Sequence, residues 1–228
     1  MLYTREAARD NIRNREGKRV FYLGKGDQLT SDARDYLNRE RISILPAEQA
    51  KPERFQLLSG GYMEHKPEHW THLNGDVLVP KTHPRIRFRG AMDSLEAELL
   101  LSMLEAEGTV RDQLEQVLEL ARNLVRWEVL EEPVPDAPLC GMNQQELRER
   151  SHRPQEHYGQ PHFMPTAEDG RLLLQINRAR CAARAAELAA AEAFTDREGR
   201  LTREDILRAM NRMSSMLYLI MIQLKAKQ

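Results

Sequence analysis

The chain has 228 residues, 41% hydrophobic and 30% charged, with only 6% aromatic residues and a formal net charge of −1. That composition supports a real core and reads as a helical, soluble chain. A charge this close to zero argues against nucleic-acid or membrane-surface binding driven by bulk charge, although a local basic pocket for phosphates stays open.

The N-terminal stretch "MLYTREAARDNIRNREGKR" is charged and has no signal-peptide character. The most apolar run, "MSSMLYLIMIQLK", is too short to span a bilayer and contains two serines. Cys140 and Cys181 lie far apart and neither belongs to a CxxC, so neither a zinc module nor a disulfide framework is indicated. A cytoplasmic protein with no membrane and no nucleic-acid partner is the expectation.

In chain order, "KRVFYL" alternates β-branched and aromatic residues and predicts a short strand. "GKGDQ" predicts a turn; its glycines suit either a phosphate cradle or, as the simpler reading, a plain turn. Thr30 or Ser31 caps a helix with Ala33, Tyr36 and Leu37 on one face, and "ISIL" is a second strand. Residues 46–80 hold prolines, "SGGY" and few apolar repeats, which reads as a linker or extended loop.

From Gly90 the pattern becomes helical. "AMDSLEAELLLSMLEAE" runs to Gly108, with Asp93 placed in the first turn, where it would favour the helix dipole or cross to an arginine. "TVRDQLEQVLELARNLVRWEVLEE" follows, capped by Thr109 and stopped by Pro133. The next segment is a long polar excursion with one short helix around Gln144 to Ser151, and such an excursion tends to carry function. Two more long helices close the chain. Four long helices and a short one make a mainly α, up-down bundle of about five helices, preceded by a small N-terminal β-α-β element.

Both closing helices carry polar stripes. Asn177, Arg180, Arg184 and Glu187 follow one another at i, i+3, i+7 and i+10, on one face. A solvated face explains such a stripe as well as a site does. Asn211, Ser214, Ser215 and Tyr218 recur at i, i+3, i+4 and i+7 among methionines, leucines and isoleucines. A helix this apolar is buried nearly all round, so its polar stripe needs partners: a ligand, the arginine stripe, or simple packing of the serines.

With those stripes in place, three blocks resemble the ATP:cob(I)alamin (corrinoid) adenosyltransferases of the PduO type. "PKTHPRIRFRGAMDSLEAE" is similar to that family's "SKDDPR…GxxDEL" block, "INRARCAARAAE" to its "RxxxRRxE" helix and "NRMSSMLYLIM" to its "NRLSDxLF" helix. Their order and spacing agree over roughly residues 71–228. "PEHWTHLNGDVLVPK" and the extra N-terminal module look closest to the ethanolamine-utilisation (EutT) branch.

The resemblance implies transfer of the 5′-deoxyadenosyl group of ATP to Co(I) of a corrinoid, giving adenosylcobalamin and triphosphate. It implies a small β/α module over 1–50, a linker and ATP-loop region over 51–85, and the adenosyltransferase bundle over 86–228. Lys81, Arg184, Glu187 and Asn211 match ATP-binding positions. Asp93 and Arg180 match a catalytic acid–arginine pair. Phe163 falls near the family's phenylalanine below cobalt, with Tyr218 on the same cobalamin side. ATP, magnesium and cobalamin are the implied ligands.

A homo-oligomer is implied, a trimer ahead of a dimer, with a reductase, a B12-dependent lyase or a microcompartment as further partners. The setting would be the cytoplasm or a bacterial microcompartment within it.

Departures stand beside the match. The family's paired arginines are Arg184–Ala185 here, its "NRLSD" aspartate is Ser215, and "LNGD" at Leu73 to Asp76 is the one candidate for its N-terminal ATP loop. No metal is assigned, although His65, His69, His72 and His83 are dense enough to pose the question. Non-enzymatic alternatives are a helical scaffold and an ATP- or cobalamin-binding regulator.

Overall fold

The computed structural model describes residues 1–15, 17–49 and 54–228. The chain divides into two compact units, Met1–Phe55 with Tyr62–His65, and Gln56–Gly61 with Lys66–Gln228.

The first unit runs β1 (Leu2–Tyr3), α1 (Arg5–Asp10), β2 (Ile12–Arg15), β3 (Lys18–Leu23), β4 (Gln28–Leu29), α2 (Ser31–Arg39) and β5 (Ser43–Pro46). β3 pairs antiparallel with β2 and parallel with β5, so the expected β-α-β element is β3–α2–β5, with the helix making the crossover that a parallel pair requires. Thr30 caps α2, its Oγ1 accepting from Ala33 N–H at 3.2 Å. Ala8, Phe21, Ala33, Leu37 and Ile42 form this unit's buried core, and Tyr3 packs edge-on to Phe21. In "GKGDQ" the Asp27 N–H donates to Gly24 O, and the Asp27 carboxylate accepts from the Met1 amino group at 2.6 Å. An acid turned inward there makes a poor phosphate cradle, and the element is a plain turn.

The second unit opens on a small sheet where the sequence suggested a linker; residues 51–53 of that expected linker lie outside the described residues. β6 (Phe55–Leu57) contributes Gln56 and Leu57 to this sheet, and the hairpin β8 (Trp70–Asn74) and β9 (Val77–Pro80) the rest; the two-residue strand between them in sequence, β7 (Tyr62–Met63), belongs to the first unit. β8 and β9 are antiparallel, and β9 also pairs parallel with β6. "LNGD" is the turn of this hairpin, with Gly75 at φ +47°, so its Asn-Gly signal marks a strand reversal rather than a phosphate loop.

The helices are α3 (Pro84–Met103), α4 (Gly108–Leu130), α5 (Gln144–His152), α6 (Pro154–Tyr158), α7 (Arg171–Phe194) and α8 (Glu204–Lys225). α3 begins six residues before the expected Gly90, because His83 caps it and Pro84 occupies the first helical position. Asp93 is therefore the tenth residue of α3, too deep in the helix to serve the dipole at its start. α3 ends at Met103, and Gly108 opens α4 instead of closing α3. The residue before α4 is Glu107, not Thr109, and it makes no side-chain cap bond.

Glu98–Arg178 and Glu105–Arg171 ion pairs show that α3 and α7 are antiparallel. Glu96–Arg122 and Arg89–Glu128 show the same for α3 and α4. α4 and α7 thus run the same way, and the long excursion between them has to carry the chain back along the bundle. Phe88, Met92, Leu95 and Leu99 of α3 meet Ala179, Ala183, Ala186 and Ala190 of α7 in one core, closed by the edge-on pair Phe88–Phe194 at 5.7 Å. The alanines let the two helices approach closely.

One buried charge cluster fastens the start of α3. Glu128 of α4 has no solvent exposure, and its carboxylate accepts from Arg85 Nε and, at 2.6 Å, from Arg89 Nε. Arg85 Nη2 also donates to Glu128 O and Arg89 Nη2 to Leu73 O of the hairpin, at 2.9 and 2.7 Å. Burial, then Arg85 and Arg89, hold the His83 imidazole below the ordinary histidine value, which suits a neutral Nδ1 accepting from Arg85 N–H. By contrast, Arg87 and Glu192 pair in the open.

Removing one partner of a buried pair leaves an uncompensated charge, whereas an exposed pair contributes little. Glu128→Ala is therefore expected to lower unfolding stability by about 3–5 kcal/mol in a urea titration, and Arg87→Ala by less than about 1 kcal/mol. Similar losses for the two would contradict this division.

Candidate functional site

The antiparallel packing of α7 on α8 brings the two polar stripes level. Arg180 Nε and Nη2 donate to Asn177 Oδ1 at 3.2 and 3.1 Å, and the guanidinium lies 5.9 Å from the Tyr218 ring centroid. Two helical turns further along, Asn211 Nδ2 donates to Glu187 Oε1 at 3.4 Å. Asn177, Arg180, Glu187, Ser215 and Tyr218 are half-buried, while Arg184 and Asn211 are exposed. The α8 stripe is thus less buried than its apolar neighbours suggest. Ser214 is buried but donates to its own helix at Asn211 O, so it needs no ligand.

The excursion between α6 and α7 lays an aromatic layer over the end of these stripes. His162 stacks on Tyr218 at 5.8 Å and 11°, and Phe163 lies against the same ring at 6.5 Å and 22°. His162 Nε2 sits 3.2 Å from His152 O, which can only accept, so Nε2 carries the proton. Nδ1 then accepts from the Tyr218 hydroxyl at 2.8 Å.

Asp169 pins the far end of this segment. Its carboxylate accepts from Thr166 N–H at 2.6 Å and from Lys225 Nζ at 2.5 Å. Those bonds, the lysine first, hold the Asp169 carboxyl below the usual carboxylate range. Its contribution is present above the ordinary aspartate value and fades as pH falls through the lowered one.

The structure therefore joins Arg180, Tyr218 and Phe163, and separately Glu187 and Asn211. Other expected residues stand apart. Asp93 is exposed on α3 and unpaired among the described residues; Arg180 turns to Asn177 instead. Lys81 is exposed and pairs with Glu68 at 3.1 Å. Arg184 is also unpaired among the described residues.

Three of the four clustered histidines serve local roles: His69 Nε2 accepts from Trp70 Nε1, His72 Nδ1 lies 3.0 Å from Gly75 O, and His83 caps α3. Among the described residues no three His, Cys, Asp or Glu side chains converge as metal ligands. Sequence reasoning missed His162, and it missed Arg212, which is buried in α8. An arginine directly between Asn211 and Met213 in so apolar a helix was the available signal for the second.

A cation, a phenol and stacked rings at one end of a helix face suit a flat ligand beside an anionic one. Residues 61–224 match the family model described as cobalamin adenosyltransferase. The chain belongs to the cobalamin adenosyltransferase family.

Among its relatives, the corrinoid adenosyltransferase EutT of Salmonella typhimurium is 35% identical over 97% of this chain and 82% of the relative. The corrinoid adenosyltransferase EutT of Escherichia coli K12 is 32% identical over 72% of this chain, which spans 61% of that relative's length. A solved variant PduO-type ATP:corrinoid adenosyltransferase from Lactobacillus reuteri aligns at 16% identity and a TM-score of 0.49, over 77% of this chain and 88% of that one.

In this adenosyltransferase-family chain the two thiols report on two places, Cys181 on α7 and Cys140 on the packing against Gln113 and Gln116 of α4. Cys181 is exposed on α7 between Arg180 and Arg184, whereas burial pushes the Cys140 thiol up to about 11. The thiolate is the reactive form. At pH 8, Ellman's reagent is expected to titrate Cys181 rapidly and Cys140 only after denaturation; rapid reaction of both in the native protein would contradict the packing around Cys140.

Proposed function

We propose that this chain transfers the 5′-deoxyadenosyl group of ATP to the Co(I) centre of a corrinoid. Cobalt supplies the electron pair, a Co–C5′ bond forms, and the C5′–O bond breaks as triphosphate leaves with its pair. The observation that carries this reading is the meeting of Arg180 with the Tyr218–Phe163 aromatic layer on the α7–α8 face, within a chain of this family. The protein's part is positioning and electrostatics, since the corrinoid supplies the nucleophile.

Arg184 and Lys81 are assigned to the ATP phosphates, and Glu187 with Asn211 to the rest of the nucleotide. Phe163 and Tyr218 form the floor for the corrinoid. A flat aromatic or apolar floor offers cobalt no lower ligand, the condition that eases its reduction. With no converging set of ligands among the described residues, magnesium arrives as the nucleotide's own ion, held mainly by phosphate oxygens.

Asp93 and Arg180 work as a pair only if they meet across copies, Asp93 with the partner subunit's Arg180. A homo-oligomer, a trimer ahead of a dimer, therefore belongs to the proposal. The bundle over 86–228 carries the reaction, 51–85 brings Lys81 to it, and 1–50 docks a reductase, a lyase or a microcompartment component. We place the activity in ethanolamine utilisation, in the cytoplasm or within a microcompartment.

The test is to mix the chain with cob(I)alamin and ATP and follow the visible spectrum. The expected product is adenosylcobalamin, whose spectrum reverts on illumination. Arg184→Ala is expected to raise KM for ATP about tenfold, the effect of losing one charge-assisted contact. Asp93→Asn should mainly lower kcat. A wild-type chain that yields no light-sensitive product would overturn the assignment, and unchanged kinetics in both variants would overturn the residue roles.

A further inference from the structure

A second polar concavity opens beside this face. Between α5 and α8 lies a cavity of about 250 Å³, lined by Arg148, Ser151 and His152 on one side and Asn211, Arg212 and Ser215 on the other. No carboxylate lines it. Arg212 is only 7% exposed; its Nη1 donates to Asp136 Oδ1 at 3.1 Å, its Nη2 donates to Ala137 O, and its buried Nε has no partner. Arg148 stands exposed at the rim; its carbonyl accepts from Ser151 Oγ, while its guanidinium makes neither a hydrogen bond nor an ion pair among the described residues. The cavity adjoins the aromatic layer, because His162 bonds to His152 O and Tyr218 follows Ser215 by three positions on α8.

The Arg212 Nε is sealed from the cavity, but Nη1 and Nη2 each keep a second N–H beyond the bonds to Asp136 and Ala137 O, and a planar fork of N–H groups fits a phosphate better than any neutral acceptor. Asp136, the carboxylate that balances Arg212, is mostly exposed. Arg148 has no such balance, so the cavity is left with excess positive charge.

We propose that this cavity holds a phosphate group, gripped by Arg212 from within and Arg148 from the rim, with Ser215 as a neutral donor. The proposal deepens the reading of the α7–α8 face as a nucleotide and corrinoid site. Phosphate of this class comes from two sources there: the triphosphate of the nucleotide, or the phosphodiester in the nucleotide tail of a complete corrinoid.

The probe is sodium tripolyphosphate, titrated calorimetrically into the full chain with no corrinoid present, alongside steady-state KM values for ATP, cobalamin and cobinamide. Cobinamide lacks the nucleotide tail and serves as the control. If the triphosphate is the source, Arg148→Ala weakens tripolyphosphate binding and raises KM for ATP, each about tenfold. If the tail is the source, the variant raises KM for cobalamin by that factor and leaves cobinamide unchanged. Arg148→Lys retains part of either effect.

Unchanged tripolyphosphate affinity together with unchanged KM values overturns the proposal. So does an equal rise for cobalamin and cobinamide with ATP unaffected. Arg148-dependent binding of tripolyphosphate by a chain that transfers no adenosyl group would retract the activity and leave the phosphate site standing.

Discussion

Glu128 lies out of reach of water with both carboxylate oxygens taken by Arg85 and Arg89, which ties α3 to α4 and, through Leu73 O, to the β8–β9 hairpin. Two cations around one buried acid are tolerated because both reach further acceptors: Arg85 also donates to Glu128 O and Glu131, and Arg89 to Leu73 O. Such a cluster fixes register more than it adds stability. It holds the start of α3, set by His83 and Pro84, against α4, and α3 in turn sets the packing of α7, since the two share the most extensive helix contact in the bundle. The run of cations from His83 to Arg89 is therefore mainly a structural clamp. Arg85 and Arg89, four residues apart, face Glu128, while Arg87 points the other way to Glu192.

The site inherits its geometry from that frame. Once α7 is fixed on α3, its alanine face is turned to the core and its polar stripe falls beside α8. The direction of α4 matters as much. Because α4 and α7 are both antiparallel to α3, the chain must return along the bundle between them. The return carries α5, α6 and the His162–Phe163 pair across α8, where Tyr218 receives the two rings. Asp169 then locks the last turn of this path to the end of α8 through Lys225 and Gln228. The loop that carries the aromatic layer is thus tethered at both ends.

Much of this was legible in the sequence. Thr30 caps α2, the short helix near Gln144 is present, and the stripes on α7 and α8 do come level. These follow from local chemistry: a cap, a capping box, a helical period. What was not legible depends on partners distant in sequence. Glu128, in "VRWEVLEE", looks like any surface acid until α3 lies against it. The hairpin at "LNGD" was hidden by strands of four and five residues, too short to show a period. Asp93 was misplaced because His83 and Pro84 start the helix earlier than the apolar pattern does. Arg212 was passed over although a charge inside so apolar a helix has to be answered, and Asp136 and Ala137 answer it from the returning segment.

In the proposed reaction the reacting metal sits where Arg180, Tyr218 and Phe163 meet. Diffraction from crystals grown with ATP and cob(II)alamin, recorded at the cobalt absorption edge, locates that metal directly. The account predicts a single cobalt peak per chain above the Phe163–Tyr218 rings, with nucleotide density reaching toward Arg184 and Asn211. A fully occupied cobalt peak remote from α7 and α8 would contradict it.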